Sequence, residues 1–227
     1  TFAAAGAGEQ WDPETGLNTP LDGPGPIPAA LGPYDGLFFR FAEAGPARRL
    51  PAVSGTLPGL TLSSLPEAPV SVGKGEFVEA KLTPAQLDGV DGWQAEAVLT
   101  KSDVDTFLFA SFAYPTPVDL SGAACLVLDT VVPEGQRTST SLLIILRDAN
   151  GVEYVGHTGR PLGALGPCRG FVPMRSFERA GWSKGPEGPL NRSAIASINI
   201  GWGGYLGKEG ETVTFTMTPL QQGCFVK

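Results

Sequence analysis

The sequence predicts an all-β, jelly-roll-like sandwich, and three observations lead there. Gly (31) and Pro (21) together approach a quarter of the 227 residues, a density that means either disorder or many short elements joined by sharp turns. After residue 75, apolar runs separate the turn formers at regular intervals, so there the density means turns. No segment sustains an apolar stripe of helical period over three turns, so an α/β arrangement is excluded.

The elements follow in order. Residues 1–75 are rich in Ala, Gly and Pro, with turn signals such as Asp22-Gly23-Pro24-Gly25-Pro26. Pro density makes such a stretch stiff and extended, so it reads as an arm or linker. Within it, Gly36–Phe41 (GLFFRF) is a strand, and a second lies around Leu60–Leu62. Leu37, Phe38, Phe39 and Phe41 need burial, so the arm is expected to lie over the domain or a partner through them.

The sandwich itself is assigned to residues 76–227. Its strands are read at Glu76–Leu82, Trp93–Thr100, Asp105–Phe112, Ala124–Val132, Ser139–Arg147, Val152–His157, Gly170–Pro173, Ala194–Trp202 and Glu211–Thr218. Turn formers link them, and Asp148-Ala149-Asn150-Gly151 reads as a tight hairpin. In Glu211–Thr218, Val213, Phe215 and Met217 share one face and the threonines the other, so that strand is half buried. Leu142–Leu146 (LLIIL) is apolar on both faces, as a central strand is. Single helical turns are expected near Pro173–Ala180 and Asn191–Ala194.

Composition narrows the function. Hydrophobic residues make up 42%, enough for a sizeable core, and the net charge is −7. No cluster of Lys and Arg stands out, which argues against a nucleic-acid partner. No apolar run reaches about 18 residues, so no membrane span is expected. The chain starts at Thr1 with neither Met nor a signal-peptide pattern and reads as a processed product or excised segment. Cys125 sits in an apolar run as a small buried hydrophobe, whereas Cys168 and Cys224 lie in turn-rich stretches and can pair in an oxidising compartment.

Catalytic chemistry is sparse. His157 is the single histidine, which excludes His₂ and His₃ metal sites, and no Gly-x-Ser-x-Gly elbow accompanies it. The Gly-rich run Gly201–Gly210 lacks the Lys-Ser/Thr ending of a phosphate loop. Sugar binding needs less: an aromatic face for stacking and planar polar groups for hydroxyls. Trp93 and Trp202 fall in register with core residues. Trp182 lies between strands, as a ligand platform or as a plug anchoring its loop. Tyr205 sits in a glycine-lined loop, either exposed for ligand or packing the loop down. Arg147, Glu153 and His157 flank the hairpin around Asn150, with Arg160 beside them, as a binding surface or a solvated face.

A family resemblance adds to this reading. Pro117-Val118-Asp119-Leu120-Ser121-Gly122 leads into the strand CLVLDTVV, followed by LLIILRDANGVEY. The segment Phe171–Phe177 (FVPMRSF) comes next, then Gly188–Ile195 (GPLNRSAI), where Leu190-Asn191 stands in place of a usual Leu-Asp. In that order the pieces resemble the galactose-binding-like jelly rolls of family 11-type carbohydrate-binding modules. They also resemble the domain of complex I intermediate-associated protein 30. The resemblance spans roughly residues 76–220.

The resemblance implies a non-catalytic carbohydrate-binding or ancillary module with a polysaccharide or oligosaccharide ligand, part of a secreted glycan-active protein. The alternative is an assembly module binding a protein partner through the arm. Secreted or periplasmic placement is expected over cytoplasmic. No cofactor is required, although related jelly rolls hold a structural calcium, for which Glu76, Glu79 and Asp129 are the candidate ligands.

Overall fold

Alternating apolar and polar residues place the chain from Leu60 onward in two antiparallel sheets with one core between them. The computed structural model describes residues 2–4, 8–11, 18–21, 25–27, 38–41, 59–163 and 167–225. The chain divides into two units, Thr1–Leu50 and Pro51–Lys227.

Among its described residues the first unit holds five short strands: β1 (Phe2–Ala4), β2 (Gly8–Trp11), β3 (Asn18–Leu21), β4 (Gly25–Ile27) and β5 (Phe38–Phe41). β1 pairs with β4, and β2 pairs with both β3 and β5, all antiparallel. The expected GLFFRF strand is present as β5. The expected burial of Phe38, Phe39 and Phe41 concerns side chains outside the described residues.

The second unit begins with β6 (Leu60–Ser64), β7 (Val70–Lys74), β8 (Val78–Leu87), β9 (Val90–Leu99) and β10 (Thr106–Val118). It continues with β11 (Cys125–Val131), β12 (Ser141–Asp148), β13 (Glu153–Pro161) and β14 (Cys168–Pro173). A single 3₁₀ turn at Met174–Ser176 leads to β15 (Glu178–Arg179), β16 (Ile195–Tyr205), β17 (Thr212–Met217) and β18 (Gln221–Phe225). The front sheet runs β15-β13-β12-β16-β10-β7, and the back sheet runs β6-β18-β11-β17-β9-β8, with β14 on the other edge of β11.

The all-β sandwich is as expected, but its boundary is not at 75/76. β6 and β7 already belong to its sheets. β6 is the strand expected around Leu60–Leu62, whereas β7 is hidden because the Pro-rich residues before it resemble linker. β18 is also absent from the sequence reading: QQGCF carries one glycine and two glutamines, and only pairing with β6 and β11 makes it a strand.

The core fills from both sheets. Trp202, Ile198 and Ile200 of β16 are buried against Leu126, Val213, Phe215 and Met217 of the back sheet's strands. The hairpin at Asp148 closes as expected: the buried Asp148 carboxylate accepts from Asn150 N at 2.9 Å and Val152 N at 3.1 Å, and Gly151 takes φ +79°. That positive φ favours glycine there.

Cys168 and Cys224 do not pair. Cys168 stands opposite Thr130 on β11, while Cys224 follows Gly223, which stands opposite Cys125. Five residues of β11 separate the two places, about 17 Å at the strand rise, far beyond disulfide reach.

The segments 117–122 and 188–195, remote in sequence, are clasped together. Arg192 donates through one guanidinium nitrogen to Leu120 O at 3.0 Å, Ser121 O at 3.1 Å and Ala123 O, and Leu120 N donates back to Arg192 O at 2.7 Å. Ser121 N donates to Asp119 at 2.8 Å, and hydrogen bonding from the Ser121 hydroxyl first and its N–H second, helped by Arg192, holds the Asp119 carboxyl below its ordinary value. Removing Arg192 strands several carbonyls at once. Arg192→Ala is expected to lower unfolding free energy by about 2 kcal/mol in urea titration, with the sheet faces unchanged.

Candidate functional site

The outward face of the front sheet carries the candidate site, and the strand register builds it row by row. Residues directly opposite on neighbouring strands share a face. The first row reads Glu153, Arg147, Ser197, Ala113; the second Val155, Ile145, Asn199, Ser111, Ser71; the third His157, Leu143, Gly201, Phe109, Gly73. Phe107 opposite Gly203 continues the face beyond the third row. Residues between these, such as Ile144, Leu146, Ile198 and Ile200, are buried in the core.

Trp182 stands at the corner beside the first row. It is 61% exposed, whereas Trp202 is fully buried, as strand parity and loop placement predict. The indole Nε1 donates to Glu153 Oε2 at 2.7 Å. The turn beneath it is tied down: Glu153 N donates to Ser183 Oγ at 2.8 Å and Ala180 N to Glu153 O at 2.9 Å. Arg179 reaches the carbonyls of Ser183 and Gly185 at 3.1 and 3.0 Å, and the Tyr154 hydroxyl donates to Gly188 O at 2.9 Å. Trp182 is therefore both anchored and open to solvent.

Arg147 is exposed beside it and, among the described residues, makes no hydrogen bond or ion pair; its guanidinium lies near Gly151 of the hairpin. His157, exposed on the third row, likewise pairs with no carboxylate, hydroxyl or thiol among the described residues. The fold thus brings Trp182, Glu153, Arg147 and His157 to one surface. Tyr205 lies elsewhere. Its place on β16 is eight residues from Ser197, roughly 25 Å along the strand. Its ring meets Trp202 edge-on at 5.7 Å, and its hydroxyl donates to Glu211. Burial first and the Glu211 bond second raise the pKa of that hydroxyl.

Sequence reasoning missed the middle of the face. Asn199 sits at its centre on β16, half buried, with an amide that has no partner among the described residues. Ser197 and Ser111 flank it, and Phe107 and Phe109 form a tilted ring pair with centroids 5.9 Å apart. Gly203 makes room for those rings, since a Cβ there would lie 3.3 Å from Phe107 Cβ and 3.5 Å from Phe109 Cζ. The signal was available: the same alternation that buries Ile198, Ile200 and Trp202 turns Asn199 outward. From Glu153 to Phe109 the face spans two rows and three strand spacings, a diagonal of about 20 Å.

Chemically the face offers aromatic surface at both ends and neutral hydrogen-bonding groups between. The proposed calcium ligands do not assemble. Asp129 is held by a two-bond ion pair with Arg169, at 2.7 and 2.6 Å, and Glu79 lies three strands away on β8. No group of three or more His, Cys, Asp or Glu side chains gathers among the described residues. No helix among them is long and apolar enough to cross a membrane.

Comparison with known proteins agrees with the architecture. No protein-family model matches the chain, and no curated protein sequence does. Among solved structures, the chain is similar to the family 11 carbohydrate-binding module of the cellulosomal cellulase Lic26A-Cel5E of Clostridium thermocellum. The TM-score is 0.51 at 15% identity, over 79% of this chain and 95% of that one. A family 11 module from Clostridium thermocellum in complex with a β-1,3-1,4-mixed-linked tetrasaccharide gives 0.51 and 15%, over 76% and 92%. The fold is that of a jelly-roll β-sandwich, similar in its layers to those modules. The comparisons lend no support to the complex I intermediate-associated resemblance.

The Trp182–Glu153 bond has a direct check. Glu153→Ala is expected to make Trp182 fluorescence more quenchable by acrylamide, while Glu153→Gln, which keeps an acceptor, is not. Because Trp182 is mostly solvent-exposed, both should leave unfolding free energy within about 0.5 kcal/mol of the parent.

Proposed function

We propose that this chain is a non-catalytic carbohydrate-binding module whose front-sheet face receives an oligosaccharide segment. The observation that carries the reading is Trp182, largely exposed yet held in place by Glu153 at the edge of a face with Asn199 at its centre. A pyranose presents an apolar face to an aromatic ring and hydroxyls to planar amides and serines. This face offers rings at its ends with Asn199, Ser197 and Ser111 between them. The length of the face suits several linked sugars rather than one. The similar family 11 module in complex with a mixed-linked tetrasaccharide supports glycan as the ligand class. Carbohydrate-directed modules act outside the cytoplasm where polysaccharides are, which supports a secreted protein.

The reading names no catalytic group. His157 and Glu153 stand two rows apart on the face, and a hydrolytic site needs a nucleophile or a carboxylate pair in mutual reach.

Calorimetric titration with mixed-linked β-glucan oligosaccharides and a panel of other plant and algal glycans tests it. Trp182→Ala should lose about 2 kcal/mol of binding, roughly thirtyfold in affinity, at an unchanged melting temperature. Asn199→Ala should lose about 1 kcal/mol. Absence of binding across the panel, or full affinity in both variants, overturns the proposal.

A further inference from the structure

A second feature of the sandwich lies away from that face. Between the two sheets, at one end, a cleft of about 440 Å³ opens among Trp93, Phe112, Tyr114, Leu65, Ile198 and Leu220. Local sequence opens it. The β10–β16 ladder breaks between Ala113 and Val118, where Pro115 and Pro117 have no N–H to donate. Gly92 lines it from β9, where a Cβ would come within 2.1 Å of Met217 O. Elsewhere inward-facing side chains such as Trp202 and Phe215 are wholly buried, but Trp93 and Tyr114 remain half-exposed.

The walls have a distinct chemistry. Trp93 and Phe112 meet at 74° with centroids 5.1 Å apart, giving two aromatic walls of a corner. The indole N–H of Trp93 and the hydroxyl of Tyr114 have no partner among the described residues. Burial pushes the Tyr114 hydroxyl up to about 12, so it stays protonated as a donor. Carboxylates of Glu67 and Asp91 stand at the same cleft as acceptors, Asp91 already receiving Gln86 Nε2 at 2.8 Å. No Lys or Arg lines it.

We propose that this cleft binds a single pyranose ring, the terminal sugar of a neutral glycan chain. That sugar class rests on the carbohydrate reading above. Aromatic walls take the apolar ring face, and donors and acceptors together suit hydroxyls, which act as both. An organic cation would use the acids and rings but leave both donors idle, and an anion would meet two carboxylates. A cleft of about 440 Å³ between the sheets suits a chain end, whereas the longer front face accepts an internal segment.

The test follows the indole N–H signals of the full ¹⁵N-labelled chain by nuclear magnetic resonance. The probes are the methyl β-glycosides of glucose, galactose, mannose and xylose, and a mixed-linked β-glucan tetrasaccharide. The expected result is a saturable shift of the Trp93 indole with at least one methyl glycoside, and about fivefold weaker binding in Tyr114→Phe. That variant keeps the ring and its packing. A still Trp93 with a tetrasaccharide-shifted Trp182 overturns the cleft and leaves the front face standing. A shifted Trp93 with a still Trp182 does the reverse, and stillness at both overturns both. A Trp93 shift of equal affinity in Tyr114→Phe also overturns the assignment.

Discussion

Everything in the sandwich is referred to one strand, β16, whose two faces serve two surfaces. Ile198, Ile200 and Trp202 point inward and are buried, while Ser197, Asn199, Gly201 and Gly203 line the outside. A side-chain period of two allows no compromise between these sets: a one-residue slip would drive Asn199 into the core and Trp202 into solvent. Gly201 makes the constraint tighter. A Cβ there would fall 1.9 Å from Leu108 O, so β10 and β16 can pair only where that side chain is missing.

The loops, by contrast, depend on polar bonds rather than burial. Trp182 is largely exposed, and what holds it is the bond to Glu153 and the ties from Ser183, Arg179 and Tyr154 around its turn. A ring already held in its orientation loses less freedom when a ligand stacks on it, which is how an exposed aromatic becomes effective. The Arg192 clasp does comparable work farther along the same β15–β16 connection, tying it to the carbonyls that follow the Val118–Ile195 pair.

The likeness to carbohydrate-binding modules at 15% identity concerns the layered arrangement of strands. One such arrangement hosts many functions, because ligands are read by side chains placed on it and not by the strands themselves. The front face and the end cleft of this chain differ in that respect. One is long and carries Glu153 and Arg147 at one end; the other is short, walled by aromatic rings and edged by two carboxylates.

Periodicity and turn chemistry, both local, determined the all-β class, the inward face of β17 (Val213, Phe215, Met217), the Asp148–Gly151 hairpin and the burial of Trp202 against the exposure of Trp182. The burial of Thr214 on the other face of β17, and of Thr218 just after it, was not legible. Strands lacking a local signal, β7 and β18, exist because neighbours complete their hydrogen bonds, and sequence alone shows no neighbours. The same holds for the site. Trp182, Arg147, Glu153 and His157 were legible because each is chemically conspicuous within its own segment. Asn199, Phe107 and Phe109 were not, because being next to Trp182's face is a property of strand order. Tertiary structure also moved Tyr205 to the far end and kept Cys168 from Cys224, since distance along β11 and β16 decides who meets whom and residue type does not.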